Sequence, residues 1–258
     1  MIGNSHLANL RTAWKSAPLE TIKATFFGAV NEHLEHLHIS DGLLVAVSPE
    51  LKHHFVLTAG VTTIDPTAFD AFVFSGFSFG FHRIAWIYKL HRLIRHATDS
   101  THPVSLAALE AAIYERLDAS PPSHVVRLIR SVFDGPVLAC LTPHLSAALT
   151  SLPLEDEDRR FVQSDEADFA GELESLHQSA IDKLALRYGL TVLHQPEGTI
   201  ERLVYTKSDY GVGVSPTGLP DHSHANAQYG RLVLDQIEAR LAADPTAIAW
   251  RKARQQRA

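Results

Sequence analysis

Asp70-Ala71-Phe72-Val73-Phe74, closed by Ser75-Gly76, is the stretch on which the reading of the fold turns. It is short and continuously apolar after Asp70, the pattern of a strand buried on both faces. Residues 21–27 (ending at Gly28), 136–141 (ending in Thr142-Pro143-His144) and 190–193 are further β-type runs. Met1-Ile2 can be only the tail of a first strand. Helical periodicity occupies 6–15, 83–96, 105–117, 123–133, 165–188 and 225–241, with Ser105 placed as a cap and Gly189 as a stop. Residues 31–37 are a short His-rich piece. Residues 43–47 with 54–58 read as a small hairpin, and 210–220 as a Gly-rich loop.

Short apolar strands alternating with helices predict an α/β fold with a mostly parallel sheet covered on both faces. No repeat, low-complexity tract or long linker divides the chain, so one domain is expected over 1–245. A basic tail follows over 246–258. In such sheets ligands bind at the carboxyl ends of the strands. Ser5, Gly28, Ser75-Gly76 and Pro143-His144 all follow predicted strands, so their loops are expected on one rim.

Leu219-Pro220-Asp221-His222-Ser223-His224-Ala225-Asn226 carries the chemistry. A carboxylate three residues before an imidazole can accept the Nδ1–H and leave Nε2 free as an acceptor. That is the orienter-plus-base half of an acyl-transfer site. Gly3-Asn4-Ser5-His6 offers the nucleophile at the other end of the chain. Each piece also has a plain reading: Ser5 and Asp221 are good helix N-caps, and a His on a loop is commonly just solvated. With 16 His residues in the chain, some chance pairing is expected.

Composition narrows the classes. The chain has 258 residues, 45% apolar and 20% charged, as in ordinary soluble domains. A net charge of −6 argues against a nucleic-acid partner bound by phosphate neutralisation. The single cysteine, Cys140, excludes an intrachain disulfide, fits a cytoplasmic setting, and lies in an apolar run that reads as core. No signal peptide or membrane span is expected: the first residues lack an apolar h-region, and the apolar stretch 72–88 is broken by Gly76, Gly80, His82 and Arg83. His33, His36 and His38 with Glu32 and Glu35 suggest a metal site only weakly, because no ligand spacing is matched. His222 and His224, one residue apart, are equally undiagnostic. Gly211-Val212-Gly213-Val214-Ser215-Pro216 lacks the Lys of a phosphate loop and the last Gly of a nucleophile elbow.

Gly3-Asn4-Ser5, Gly28 after the second strand, Gly76 after the third and Asp221-x-x-His224 before the last helix resemble the ordered blocks of the SGNH (GDSL-like) hydrolase superfamily. The resemblance spans nearly the whole chain. It implies a three-layer α/β/α sandwich with a flavodoxin-like sheet, and serine-dependent hydrolysis or transfer of an acyl group from a small ester. Many members of that superfamily act on acetylated carbohydrates. By position Ser5 would be the nucleophile, His224 the base and Asp221 its orienter. The Ser5 and Gly28 N–H groups would form the oxyanion hole, with Gly76 and Phe77 beside the substrate. No cofactor or metal is implied. Two positions depart from the family pattern. Asn4 stands where Asp is usual, and Gly76-Phe77-Ser78-Phe79 stands where Gly-x-Asn-Asp is usual, so Ser78 would have to donate in place of the Asn. Asn31 and Asn226 are substitute donors only by their nearness to the matched blocks. The competing reading is the same fold kept as a binding module for carbohydrate or protein, with a damaged oxyanion hole.

Overall fold

In a computed structural model, residues 1–77, 80, 81, 84, 87, 88, 90–99, 101–151, 167–215 and 217–255 are described. Five strands form one all-parallel sheet: β1 (Ile2–Gly3), β2 (Phe27–Gly28), β3 (Phe72–Phe77), β4 (Val137–Leu141) and β5 (Thr191–Leu193). Their spatial order is β2-β1-β3-β4-β5. Ile2 stands opposite Phe27 on one side and Phe74 on the other, so β1 is central although it is two residues long.

Alternation along the strands divides the interior into two cores. Phe72, Phe74 and Val137 point into one, with α2 (Pro49–Ala59), α3 (Leu106–Asp118), α4 (Pro121–Val132) and α5 (Ala167–Tyr188) supplying Phe55, Ile113, Ile129 and Leu184. Val73, Leu138 and Cys140 point into the other, against Leu10 of α1 (Leu7–Ser16) and Leu234 and Ile237 of α6 (Ala227–Ala243). Each large apolar side chain buried in this way is worth about 1.5–3 kcal/mol. This is why the apolar run 71–74 at the start of β3 suits a central strand.

Several elements differ from the sequence reading. Residues 54–58 belong to helix α2 and not to a strand. The Ser48 side chain accepts the Leu51 N–H (3.1 Å), Pro49 takes the first turn, and Gly60 ends the helix at φ 78°. The hairpin partner of Leu43–Ala46 is Leu37–Ser40 instead, turned at Asp41-Gly42 with both φ values positive. Residues 210–220 are not a loop throughout: Gly211–Val214 pairs antiparallel with Pro220–Ala225. Of 21–27 only Phe27 enters a ladder, because β1 is too short to pair with the rest. Within 83–96, residues 91–93 are a strand and 94–96 a 3₁₀ turn. The expected tail is largely the helix α7 (Pro245–Gln255), where Trp250 packs edge-on against Phe133 at 5.2 Å. Among the described residues no helix is long and apolar enough to cross a membrane.

One half-buried carboxyl carries a prediction. Glu174 on α5 has Oε2 enclosed, 4.0 Å from the Nδ1 of the buried His177, with no hydrogen bond among the described residues. Burial pushes its carboxyl up to about 7. An acid raised on folding costs stability progressively as pH climbs from the ordinary carboxylate value through 7. Glu174→Gln is therefore expected to raise the Tm at pH 8 and to leave it nearly unchanged at pH 4.5, as read by thermal melts at the two pH values.

Candidate active site

β1 ends at Gly3, and the chain turns at once into α1. A Cβ on Gly3 would sit 2.1 Å from the Ser75 carbonyl oxygen, so only glycine lets β1 and β3 close on each other here. Asn4 fastens the turn. Its Nδ2 donates to the Gly76 carbonyl, and its Oδ1 accepts the His6 N–H at 3.0 Å. Asn suits this position better than Asp because the Gly76 carbonyl needs a donor. Ser5 follows, exposed, with its carbonyl accepting the Ala8 N–H at 3.1 Å. The Ser5 N–H makes no hydrogen bond among the described residues.

Asp221 and His224 stand on the second strand of the hairpin, just before α6. The Asp221 carboxylate accepts the Ser223 N–H at 3.2 Å, the His224 N–H at 3.0 Å and the His224 ring at Nδ1, 2.9 Å from Oδ2. Partial burial alone would raise this carboxyl. The hydrogen bonds from the His224 backbone and ring, the His224 charge and the Ser223 N–H together outweigh it and hold the group below the usual carboxylate value. With Nδ1–H donated to Asp221, Nε2 is the acceptor. The Ser5 hydroxyl lies 2.8 Å from it and donates. Residues 219 positions apart thus meet in the order carboxylate, imidazole, hydroxyl. The His6 ring packs beside them, 4.9 Å from that of His224.

The helix pair that follows these residues holds them in register. Asn226 caps α6, its Oδ1 accepting the Gln228 and Tyr229 N–H groups at 3.0 and 3.1 Å. Its Nδ2 donates to the Asp209 and Gly211 carbonyls at 2.7 and 3.2 Å, which ties the cap to the hairpin and occupies the side chain. At Gly230 the backbone of α6 meets that of α1: a Cβ would lie 2.4 Å from Asn9 O. In an ordinary helix Gly→Ala gains about 1 kcal/mol. Here the sign reverses, because backbone cannot yield as a side-chain tip can. Gly230→Ala is expected to lower the urea midpoint and, by parting Ser5 from His224, to lower turnover as well.

Gly28 behaves differently from its expected role. Phe27 N–H and Ala29 N–H donate to Met1 O and Gly3 O (2.8 and 3.0 Å), so the intervening Gly28 N–H points off the other edge of β2. There it donates to Thr58 Oγ1 at 3.1 Å, and Thr58 in turn donates to the His54 carbonyl at 2.8 Å. This ladder turns the Gly28 N–H away from β1 and from the Ser5 turn that follows it. Gly76 lies directly against Asn4 and His6. Phe77 closes β3, and Ser78 lies outside the described residues, as does the Asn31 side chain. Thr58, Gly230 and the bridging role of Asn4 were not legible in the sequence, since each acts through an element distant in the chain. The helix signal at Ser48-Pro49 with Gly60 could have placed Thr58 on α2.

Cys140 is buried and burial pushes its thiol up to about 12, so it is an inert core residue. His33 comes within 5.1 Å of His54, ring to ring, but among the described residues no group of three His, Cys, Asp or Glu could hold a metal ion. Searches for similar proteins found no matching family model, curated protein or solved structure.

The electrostatics at Asp221 predict a pH effect. A carboxylate lowered on folding adds stability that is complete above its unfolded pKa of about 3.9 and is lost as pH falls through the folded value. Asp221→Asn is expected to reduce stability at pH 7 and to flatten the acid limb of the stability curve below pH 4, as followed by urea titrations from pH 2.5 to 7.

Proposed function

We propose that this chain is a serine hydrolase or O-acyltransferase of the SGNH type, a three-layer α/β/α sandwich with a flavodoxin-like sheet that acts on a small ester. The observation that carries the reading is the 2.8 Å contact of Ser5 Oγ with His224 Nε2, on an imidazole held through Nδ1 by Asp221. The strand order β2-β1-β3-β4-β5 supports it, being that of flavodoxin-like sheets, as does the gathering of Ser5, Gly76 and the Asp221–His224 pair in one place. His224 takes the Ser5 proton as Oγ attacks the ester carbonyl. The acyl-enzyme forms as His224 returns the proton to the leaving alkoxide. Water then resolves the intermediate in a hydrolase, or an acceptor hydroxyl in a transferase. The Ser5 N–H, without a hydrogen bond among the described residues, would be a donor for the oxyanion. The substrate class, an O-acetylated carbohydrate, rests on the family resemblance.

A fluorophosphonate probe is expected to modify wild type at Ser5, located by peptide mass spectrometry, and to leave Ser5→Ala unlabelled. Labelling elsewhere with Ser5 untouched would move the nucleophile. One observation favours a second reading, a binding module on the same fold: the Gly28 N–H is committed to Thr58, which leaves the oxyanion hole short of a donor. Losing one such donor costs about 2.7–4 kcal/mol in the transition state. A module of that kind would resist the probe and hydrolyse p-nitrophenyl acetate no faster than Ser5→Ala does.

A further inference from the structure

Two hydrogen bonds in the plane of the His224 ring fix where its nitrogens point. Nδ1 lies 2.9 Å from Asp221 Oδ2 and Nε2 lies 2.8 Å from Ser5 Oγ. Neither bond strongly resists movement perpendicular to the ring, because a hydrogen bond keeps most of its strength through the first ~30° of bending. What opposes that movement is packing against the ring. The His224 side chain is 34% exposed, and the His6 ring lies against it with centroids 4.9 Å apart and planes tilted by 36°. That separation is within the range at which aromatic rings attract one another.

His6 is itself well anchored. It is the residue before α1, and its N–H donates to Asn4 Oδ1 at 3.0 Å. Its Nδ1 is enclosed. Room for the side chain exists because residue 76 is glycine: a Cβ there would lie 2.4 Å from His6 Cβ. The Asn4–Gly76 turn that places Ser5 therefore places the His6 ring as well. Nucleophile and ring are adjacent in the chain and meet the same imidazole, one at its edge and one across its ring.

The contact also has a chemical consequence. In acyl transfer His224 becomes positively charged as it takes the Ser5 proton. A cation within about 6 Å of an uncharged aromatic ring is attracted to it. The His6 ring then favours the protonated form of His224 over the neutral one. An interaction stronger in the transition state than in the ground state raises kcat and leaves KM unchanged.

We propose that His6 is a positioning residue for the base: its ring restrains His224 against out-of-plane movement and stabilises the charge that His224 acquires. The second part rests on the hydrolase reading. The first concerns geometry alone.

The test compares wild type with His6→Ala, His6→Phe and His6→Lys, each shown folded by circular dichroism. On p-nitrophenyl acetate His6→Ala is expected to lower kcat about 10-fold with KM nearly unchanged. His6→Phe keeps an uncharged ring and is expected to recover most of that loss. His6→Lys puts a cation beside His224 and is expected to fall below His6→Ala. A second readout does not depend on turnover. The proton between His224 Nδ1 and Asp221 is followed by NMR, and its exchange with solvent is expected to quicken about 10-fold in His6→Ala and not in His6→Phe. Wild-type kcat and wild-type exchange in His6→Ala would overturn the proposal. So would a His6→Phe protein as impaired as His6→Ala in both readouts, since the ring would then not be what matters, or a His6→Lys protein as active as His6→Phe. If Ser5→Ala proves no slower than wild type, the hydrolase reading falls, and the exchange rates still decide whether His6 restrains His224.

Discussion

Replacing Ser5 by Ala is expected to lower the hydrolysis of p-nitrophenyl acetate by about 10⁴-fold or more, and His224→Ala by a similar factor. The double variant should be no slower than either single one. On the proposed hydrolase mechanism the hydroxyl and the imidazole would act as one unit: without the base the hydroxyl is a weak nucleophile, and without the hydroxyl the base has nothing to deprotonate on the protein. Their 2.8 Å contact is the observation from which this expectation follows. Additive losses would mean that the two groups act separately. Equal rates for wild type and Ser5→Ala would end the hydrolase reading for this substrate. Steady-state rates for the four proteins, measured after each is shown folded by circular dichroism, are sufficient.

Gly76→Ala is expected to damage the fold and the site together. Gly76 has φ 71°, a region that costs an L-residue about 1–2 kcal/mol. Space matters more. A Cβ there would lie 2.0 Å from Asn4 Oδ1 and 2.4 Å from His6 Cβ, so the turn carrying Ser5 has to move. The same turn is held by the Asn4 side chain donating to the Gly76 carbonyl. A displacement of about 1 Å at a reacting group can cost 10²-fold. The expected outcome is a fall in kcat of about 10²-fold or more, with a lower urea midpoint, while Gly42→Ala serves as a comparison. Gly42 also has positive φ but would meet nothing within 4 Å, so it carries the backbone penalty without the displacement. If both variants lost the same activity, backbone strain alone would be responsible and the packing argument would fail.

Local chemistry was legible in the chain itself. Asp221 and His224 are three residues apart, a spacing the local backbone closes here: the His224 N–H and its ring both donate to the Asp221 carboxylate. The apolar run 71–74 pointed to a buried strand, and it lies in the all-parallel sheet with Phe72 and Phe74 in one core and Val73 in the other. What lies between distant parts of the chain was not legible. That Ser5 meets His224 depends on α1 and α6 closing over Gly230, a contact between backbones far apart in sequence that no local pattern encodes. Whether Gly28 can serve an oxyanion depends on the direction of one N–H. That direction is set by the step of the β1–β2 ladder, and the N–H is then taken by Thr58 from a helix whose residues 54–58 read as a strand. Propensity acts over a few residues, whereas register and packing are decided only when the elements have met. So the sequence alone determined the carboxylate–imidazole pair and the kind of sheet, and the tertiary structure decided which hydroxyl that pair addresses and which donors are left to assist it.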